Sequence, residues 1–234
     1  PPMLARHPAL ALLLAAALPA QAARPFITDD ARLTTAGSCQ LESWTRAESG
    51  STEFWALPAC NPWGNLEFTA GMGTARIEGR PDSHDHLYQL KTLFKPLETN
   101  GWGWGLGVGT VRHPGVNPGP NLLGNVYAYV PMSFSLRDDQ VVVHANVGWL
   151  RDRASREHNL TWGLGGEIRL TNRVLGIVET FGDHRHRPLF QIGARFALVP
   201  DRVQIDATVG ERVNGPHSSR WISFGVRLTP DRLF

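Results

Sequence analysis

Histidine and acidic residues offer the first chemistry to test. Seven of the nine histidines, His84, His86, His113, His158, His184, His186 and His217, fall in or beside stretches that read as loops. His84-Asp85-His86 and His184-Arg185-His186 are His-x-His pairs, a spacing that can ligate zinc or copper. The plain alternative is a set of exposed loop histidines. Asp82, His84, Asp85, Asp183 and His184 could be composed into a hydrolytic Asp/His pair, but no spacing enforces one. A serine hydrolase would show a Gly-x-Ser-x-Gly elbow, and the chain has none. No enzyme is therefore expected, and neither a metal nor a cofactor.

The charged residues that alternate with apolar ones carry a second signal. Lys91, Lys95, Tyr127, Tyr129, His144, Glu167, Arg169 and Arg195 share one parity within their strand-like runs. If those runs close on themselves, the eight line an interior path for a solute; the bland reading is that they only stabilise the wall. Both signs are represented, so a wide ring selective for one ion sign is not expected. Net charge is +2 with the basic residues scattered among acidic ones, which argues against nucleic acid as a partner.

The elements that would position these residues are strands. From Gly101 to Val111 the sequence reads Gly-Trp-Gly-Trp-Gly-Leu-Gly-Val-Gly-Thr-Val. Glycine costs a helix roughly 1 kcal/mol per residue against alanine, so this stretch is a strand with one apolar face and one bare face. Gly103, Gly105, Gly107 and Gly109 leave room there for the Asp29-Asp30 segment, a solute or water. Similar runs cover 38–47, 51–60, 65–76, 86–96, 101–112, 124–136, 141–151, 158–170, 173–182, 188–199, 203–213 and 220–229. That gives about twelve strands with no helix between them. The even-numbered connections (61–64, 97–100, 137–140, 171–172, 200–202) are tight. Most odd ones (77–85, 113–123, 151–157, 182–187, 214–219) are longer. Sorting by parity is the habit of transmembrane barrels, with short turns at one end and longer loops at the other. The expected fold is all-β, an antiparallel up-and-down transmembrane β-barrel spanning 38–234. Glu179 could point either way, because both faces of 173–182 are apolar.

Two cysteines remain to be placed. Folding 38–60 at Ser49-Gly50 pairs positions that sum to 99: Arg46 faces Glu53, Trp44 faces Trp55 and Cys39 faces Cys60. A disulfide is expected, two free thiols being the alternative. At the N-terminus Met3 reads as the start, Ala9–Leu18 as an apolar core and Ala20-Gln21-Ala22 as a cleavage site. Residues 1–22 are thus expected to be a signal peptide, and 23–37 a periplasmic segment or plug.

Arg24-Pro25-Phe26-Ile27-Thr28-Asp29-Asp30-Ala31, followed by Gly37-Ser38-Cys39-Gln40-Leu41-Glu42-Ser43-Trp44, resembles the start of certain proteobacterial outer-membrane barrels. These are transporters associated with the meta-pathway of phenol degradation. The resemblance implies passage or binding of a small, aromatic or hydrophobic solute, in a Gram-negative outer membrane reached through the barrel assembly machinery. Outer-membrane lipid and the solute are then the partners. A structural or adhesive barrel with a filled lumen is the runner-up, and a hydrolase on the outer loops the third. Phe234 is the terminal aromatic such barrels carry, although Pro230-Asp231-Arg232 breaks the alternation before it.

Overall fold

The computed structural model describes residues 26–114, 123–216, 219–230 and 233–234; residues 1–22 and His217 lie outside these. Among the described residues twelve strands form one closed antiparallel barrel. They are β1 (Ser38–Glu48), β2 (Ser51–Asn61), β3 (Glu67–Ile77), β4 (Ser83–Lys95), β5 (Trp102–Arg112) and β6 (Asn125–Leu136). The ring continues with β7 (Val141–Arg151), β8 (His158–Arg169), β9 (Val174–Asp183), β10 (Leu189–Val199), β11 (Val203–Arg212) and β12 (Trp221–Leu228). Each strand pairs with its sequence neighbours, and β1 pairs with β12, so no edge is left open.

Alternation assigns the faces. Phe94, Trp102, Val108, Val147, Leu164, Ile192, Val209 and Phe224 are exposed on the outside. Lys91, His144, Glu167, Glu179, Gln191, Arg195 and Arg227 are buried inside. Exposed apolar side chains around a whole closed sheet, over polar buried ones, are the reverse of a water-soluble domain. They are what a barrel needs when hydrocarbon covers its wall, since a charge there costs roughly 2–4 kcal/mol at mid-depth. The fold is a transmembrane β-barrel.

The first hairpin takes the register that sums to 99, with Arg46 opposite Glu53 and Trp44 opposite Trp55. Cys39 and Cys60 are bonded. Gly50 turns it at a φ of 76°. One connection is shorter than expected. Ser83, His84 and Asp85 belong to β4, paired with Ala75, Thr74 and Gly73, because the β3–β4 ladder continues past the lipid-facing band.

Candidate functional site

The barrel interior is occupied at mid-depth by its own N-terminal segment. The amides of Ile27 and Thr28 both donate to the Glu179 carboxylate, Ile27 at 3.0 Å. Asp29 N–H donates to Asn146 Oδ1 at 2.7 Å, and Asn146 Nδ2 returns a bond to the Asp29 carbonyl at 2.7 Å. Ala31 N–H donates to Ser133 Oγ at 2.8 Å, and Thr34 N–H to Glu67 Oε2 at 2.7 Å. Leu97, in the short connection between β4 and β5, donates its amide to the Ala31 carbonyl. The segment therefore reaches up from the short-turn end. These five backbone donors, which belong to no strand ladder, are met by wall side chains, and the amides of Asp30 and Arg32 by the segment's own Asp29 and Asp30 carboxylates, as burial demands.

Asp29 is the hub. Lys91 Nζ lies 2.8 Å from Asp29 Oδ1 and 3.3 Å from Asp30 Oδ1, and the Tyr129 hydroxyl donates to Asp29 Oδ2. Glu67 stands opposite Lys91 across the β3–β4 pair. Below this lies a second cluster. Arg195 is 3.0 Å from Glu167 Oε1, and Arg32 is 3.7 Å from Glu167 Oε2 and 3.8 Å from Asp30. His144 Nε2 is 3.8 Å from Glu167, while its Nδ1 meets Ser133 Oγ at 2.8 Å.

Ser133, His144 and Glu167 make a serine–histidine–carboxylate line, but it has no approach for a substrate. Ser133 and His144 are fully buried, and the serine oxygen already accepts the Ala31 amide. The cluster's work in this arrangement is to hold the segment.

Glycines make the space, though not all where expected. A Cβ on Gly163 would strike Thr28, and one on Gly165 would lie 2.8 Å from the Phe26 ring, so β8 is the strand against which the segment lies. The stripe on β5 is filled differently. Cβ atoms on Gly107 and Gly109 would collide with the rings of Tyr129 and Tyr127 from β6. The tyrosines lie over the stripe and aim their hydroxyls onward, Tyr127 to Gln89 at 2.9 Å and Tyr129 to Asp29.

Of the eight residues expected along an interior path, Lys91, Tyr127, Tyr129, His144, Glu167 and Arg195 lie inside. Arg169 is exposed at the last position of β8. Lys95 is a correction. A bulge between Leu93 and Lys95 leaves Phe94 out of register, its ring 4.6 Å from that of Trp104, and pairs Lys95 with Trp104, which turns Lys95 to the outer face with its ammonium 4.9 Å from the Trp102 ring. There it is a cation among aromatics at the short-turn rim, its charge reaching water while its stem lies on apolar surface. Glu179, ambiguous in the sequence, points inward.

The His-x-His pairs are held separately. Asp85 pairs with His113 at 2.9 Å and Asp183 with His186 at 2.8 Å. His184 accepts the Leu160 amide, and Asp82 pairs with Arg76. The Asp/His candidates lie at the long-loop ends of β4 and β9, five strands apart around the ring, and among the described residues no ion pair joins the two groups. Among the described residues no group of three or more His, Cys, Asp or Glu is placed to hold a metal ion.

The segment leaves a cavity of about 580 Å³ beside it. One wall is the segment itself, Ile27 to Thr34. The other rises from Gln40, Ala59 and Glu67 near the short turns, past Gln89 and Tyr127, to Leu87, Val111, Leu150 and Phe181 near the long loops. Leu57 and Trp44 also line it, and Trp44 stacks on Trp55 at 5.9 Å. These inward apolar side chains escape a reading that sorts one face as oily and the other as polar. The visible signal is an interruption of the polar face toward the long-loop ends.

Solved structures similar to it in fold include two porins and an outer membrane protein. The KdgM porin has a TM-score of 0.63 at 9% identity, covering 81% of this chain and 98% of that one. The NanC porin gives 0.58 at 12% identity, covering 82% and 98%. The outer membrane protein Omp33 of Acinetobacter baumannii gives 0.54 at 8% identity, covering 82% and 97%. At these identities the likeness is one of fold. No curated protein matches the chain in sequence. The family model described as Uncharacterised conserved protein UCP029691 matches residues 9–229. This match does not show the phenol meta-pathway family, and the resemblance at Thr28–Ala31 and Cys39–Glu42 is a likeness of those short stretches.

Proposed function

Since the chain belongs to the family Uncharacterised conserved protein UCP029691 and folds as a porin-like barrel, we propose that it passes or binds a small solute across the outer membrane. Residues 1–22 act as a signal peptide, the barrel assembly machinery inserts the strands, and outer-membrane lipid covers the outer face. The cavity of about 580 Å³ between the segment and the barrel wall is the observation that carries this reading. Its volume suits one small molecule. Its walls, with Leu57, Leu87, Val111, Leu150 and Phe181 above a floor of Asp29, Gln89 and Tyr127, suit an amphipathic one with an apolar or aromatic body. One related structure is a KdgM porin in complex with oligogalacturonate, an acidic sugar chain. The apolar walls here favour a shorter and less polar solute than that.

The bonded segment itself favours a second reading, a structural or adhesive barrel whose lumen stays filled. Liposome swelling separates the two. Vesicles carrying the whole protein are expected to swell in arabinose and in phenyl glucoside, which cross bare lipid slowly, and to exclude disaccharides. A chain lacking residues 26–34 is expected to admit disaccharides as well. No swelling with any solute, from a protein that runs as a folded barrel, overturns transport in favour of the filled barrel.

A further inference from the structure

The charge that a solute would meet in the lumen is not the balanced set that the sequence suggests. We infer that the lumen selects cations, and that its solute is a small organic ammonium ion with an aromatic or aliphatic body. This rests on the lumen passing or binding a solute at all.

The two basic side chains lining the cavity are both engaged. Lys91 is 3% exposed, with its ammonium between Asp29 and Asp30 and with Glu67 opposite. Arg32 lies between Asp30 and Glu167. An anion could reach neither without displacing carboxylates from them. Five acidic residues line the same space: Asp29, Asp30, Glu42, Glu67 and Asp183. Asp29 at the tip of the segment keeps 28% of its side chain exposed, and Asp183 near the long loops keeps 24%. Glu42 stands opposite Arg227, a residue buried to 3% behind it. What faces the cavity is therefore mostly carboxylate.

The surroundings amplify this bias. Low-dielectric walls focus the field of a few charges into a cleft. Trp44, Tyr127 and Phe181 line the cavity with Asp29, and aromatic faces attract organic cations. The barrel already uses that attraction for its own side chains, with Arg46 placed 5.6 Å from the Trp221 ring.

Reversal potentials of the whole protein in planar bilayers under a potassium chloride gradient test the sign. The expected potassium-to-chloride permeability ratio is roughly sevenfold, because a lumen potential of about one kT raises potassium and lowers chloride by the same factor. Asp29→Asn and, separately, Asp183→Asn should each lower it. Among the described residues the Asp183 carboxylate bonds only to Arg185 and His186 beside it, so its effect is free of any loosening of the segment. In detergent, quenching of tryptophan emission should report benzyltrimethylammonium binding at least tenfold tighter than benzoate. A ratio at or below one with currents present, or benzoate binding as tightly as the ammonium, overturns cation selection and leaves passage standing. Absence of both current and swelling removes passage, and this inference with it.

Discussion

Lys91→Met is the sharpest perturbation of the segment that fills the lumen. The ammonium is the shared partner of Asp29 and Asp30, at 2.8 Å and 3.3 Å, and the side chain that carries it is buried. Methionine keeps the length of the stem and removes the charge. Two carboxylates then face each other at mid-depth with Glu67 nearby. Removing one partner from a buried ion pair typically costs about 3–5 kcal/mol, because the other is left uncompensated. Asp29 keeps its bond from Tyr129 and some exposure, which favours the lower end, about 3 kcal/mol. The cost falls on the docked state alone, since an undocked segment carries its two aspartates into water. Docking should weaken by roughly a hundredfold. Thr34→Cys provides the reporter, because Thr34 is 2% exposed when docked and its hydroxyl accepts no hydrogen bond. A charged maleimide labels it only when the segment leaves, so the labelling rate follows the undocked population when opening is fast. The rate should rise about a hundredfold in Lys91→Met and little in Lys91→Arg. A change below about threefold, in a protein whose heat-modifiable mobility shows a folded barrel, would refute the claim that this ion cluster holds the segment.

Adjacent residues on β8 should respond in opposite ways. Leu164→Arg places a charge on the outer face and should lower unfolding stability in vesicles by roughly 2–4 kcal/mol, without altering labelling at position 34. Gly163→Ala should leave vesicle stability nearly intact but raise that labelling, because the new methyl strikes Thr28. Gly107→Val should drive the Tyr129 ring off β5 and its hydroxyl away from Asp29, raising the labelling rate and changing the tyrosine ultraviolet spectrum.

The alternation of side chains makes orientation legible, and the first hairpin shows how far that goes. Three pairs of different chemistry agreed on one register, so Cys39 could be set opposite Cys60 without any knowledge of the rest. The same logic placed Lys91, Glu167 and Arg195 inside. It failed at Lys95, since a bulge adds one residue to one strand and leaves no mark in residue type. The glycine stripes show a subtler limit. Period two reveals that a face is bare but not what covers it. On β5 the cover is a pair of tyrosines from the next strand; on β8 it is a length of main chain.

Glu179 shows that the docked segment itself was within reach once the faces were fixed. Across the barrel wall, Glu167 is met by Arg195, Glu42 stands opposite Arg227, and Glu67 stands opposite Lys91. Glu179 has Gln191 on one side and Gly165 on the other, so no cation faces it in register. A carboxylate buried to 1% and flanked by a neutral amide and a bare backbone is costly unless donors come from elsewhere. Within a closed antiparallel sheet the strands have already spent their amides on each other. Gln191 Nε2 gives the carboxylate one bond, and the remaining donors come from chain outside the strands. Ile27 and Thr28 supply them, each turning a backbone N–H toward that one side chain. An inward acid without a basic neighbour thus marks where non-sheet chain docks, and by the same reasoning the exposed edge of Asp29 marks where a cationic solute would.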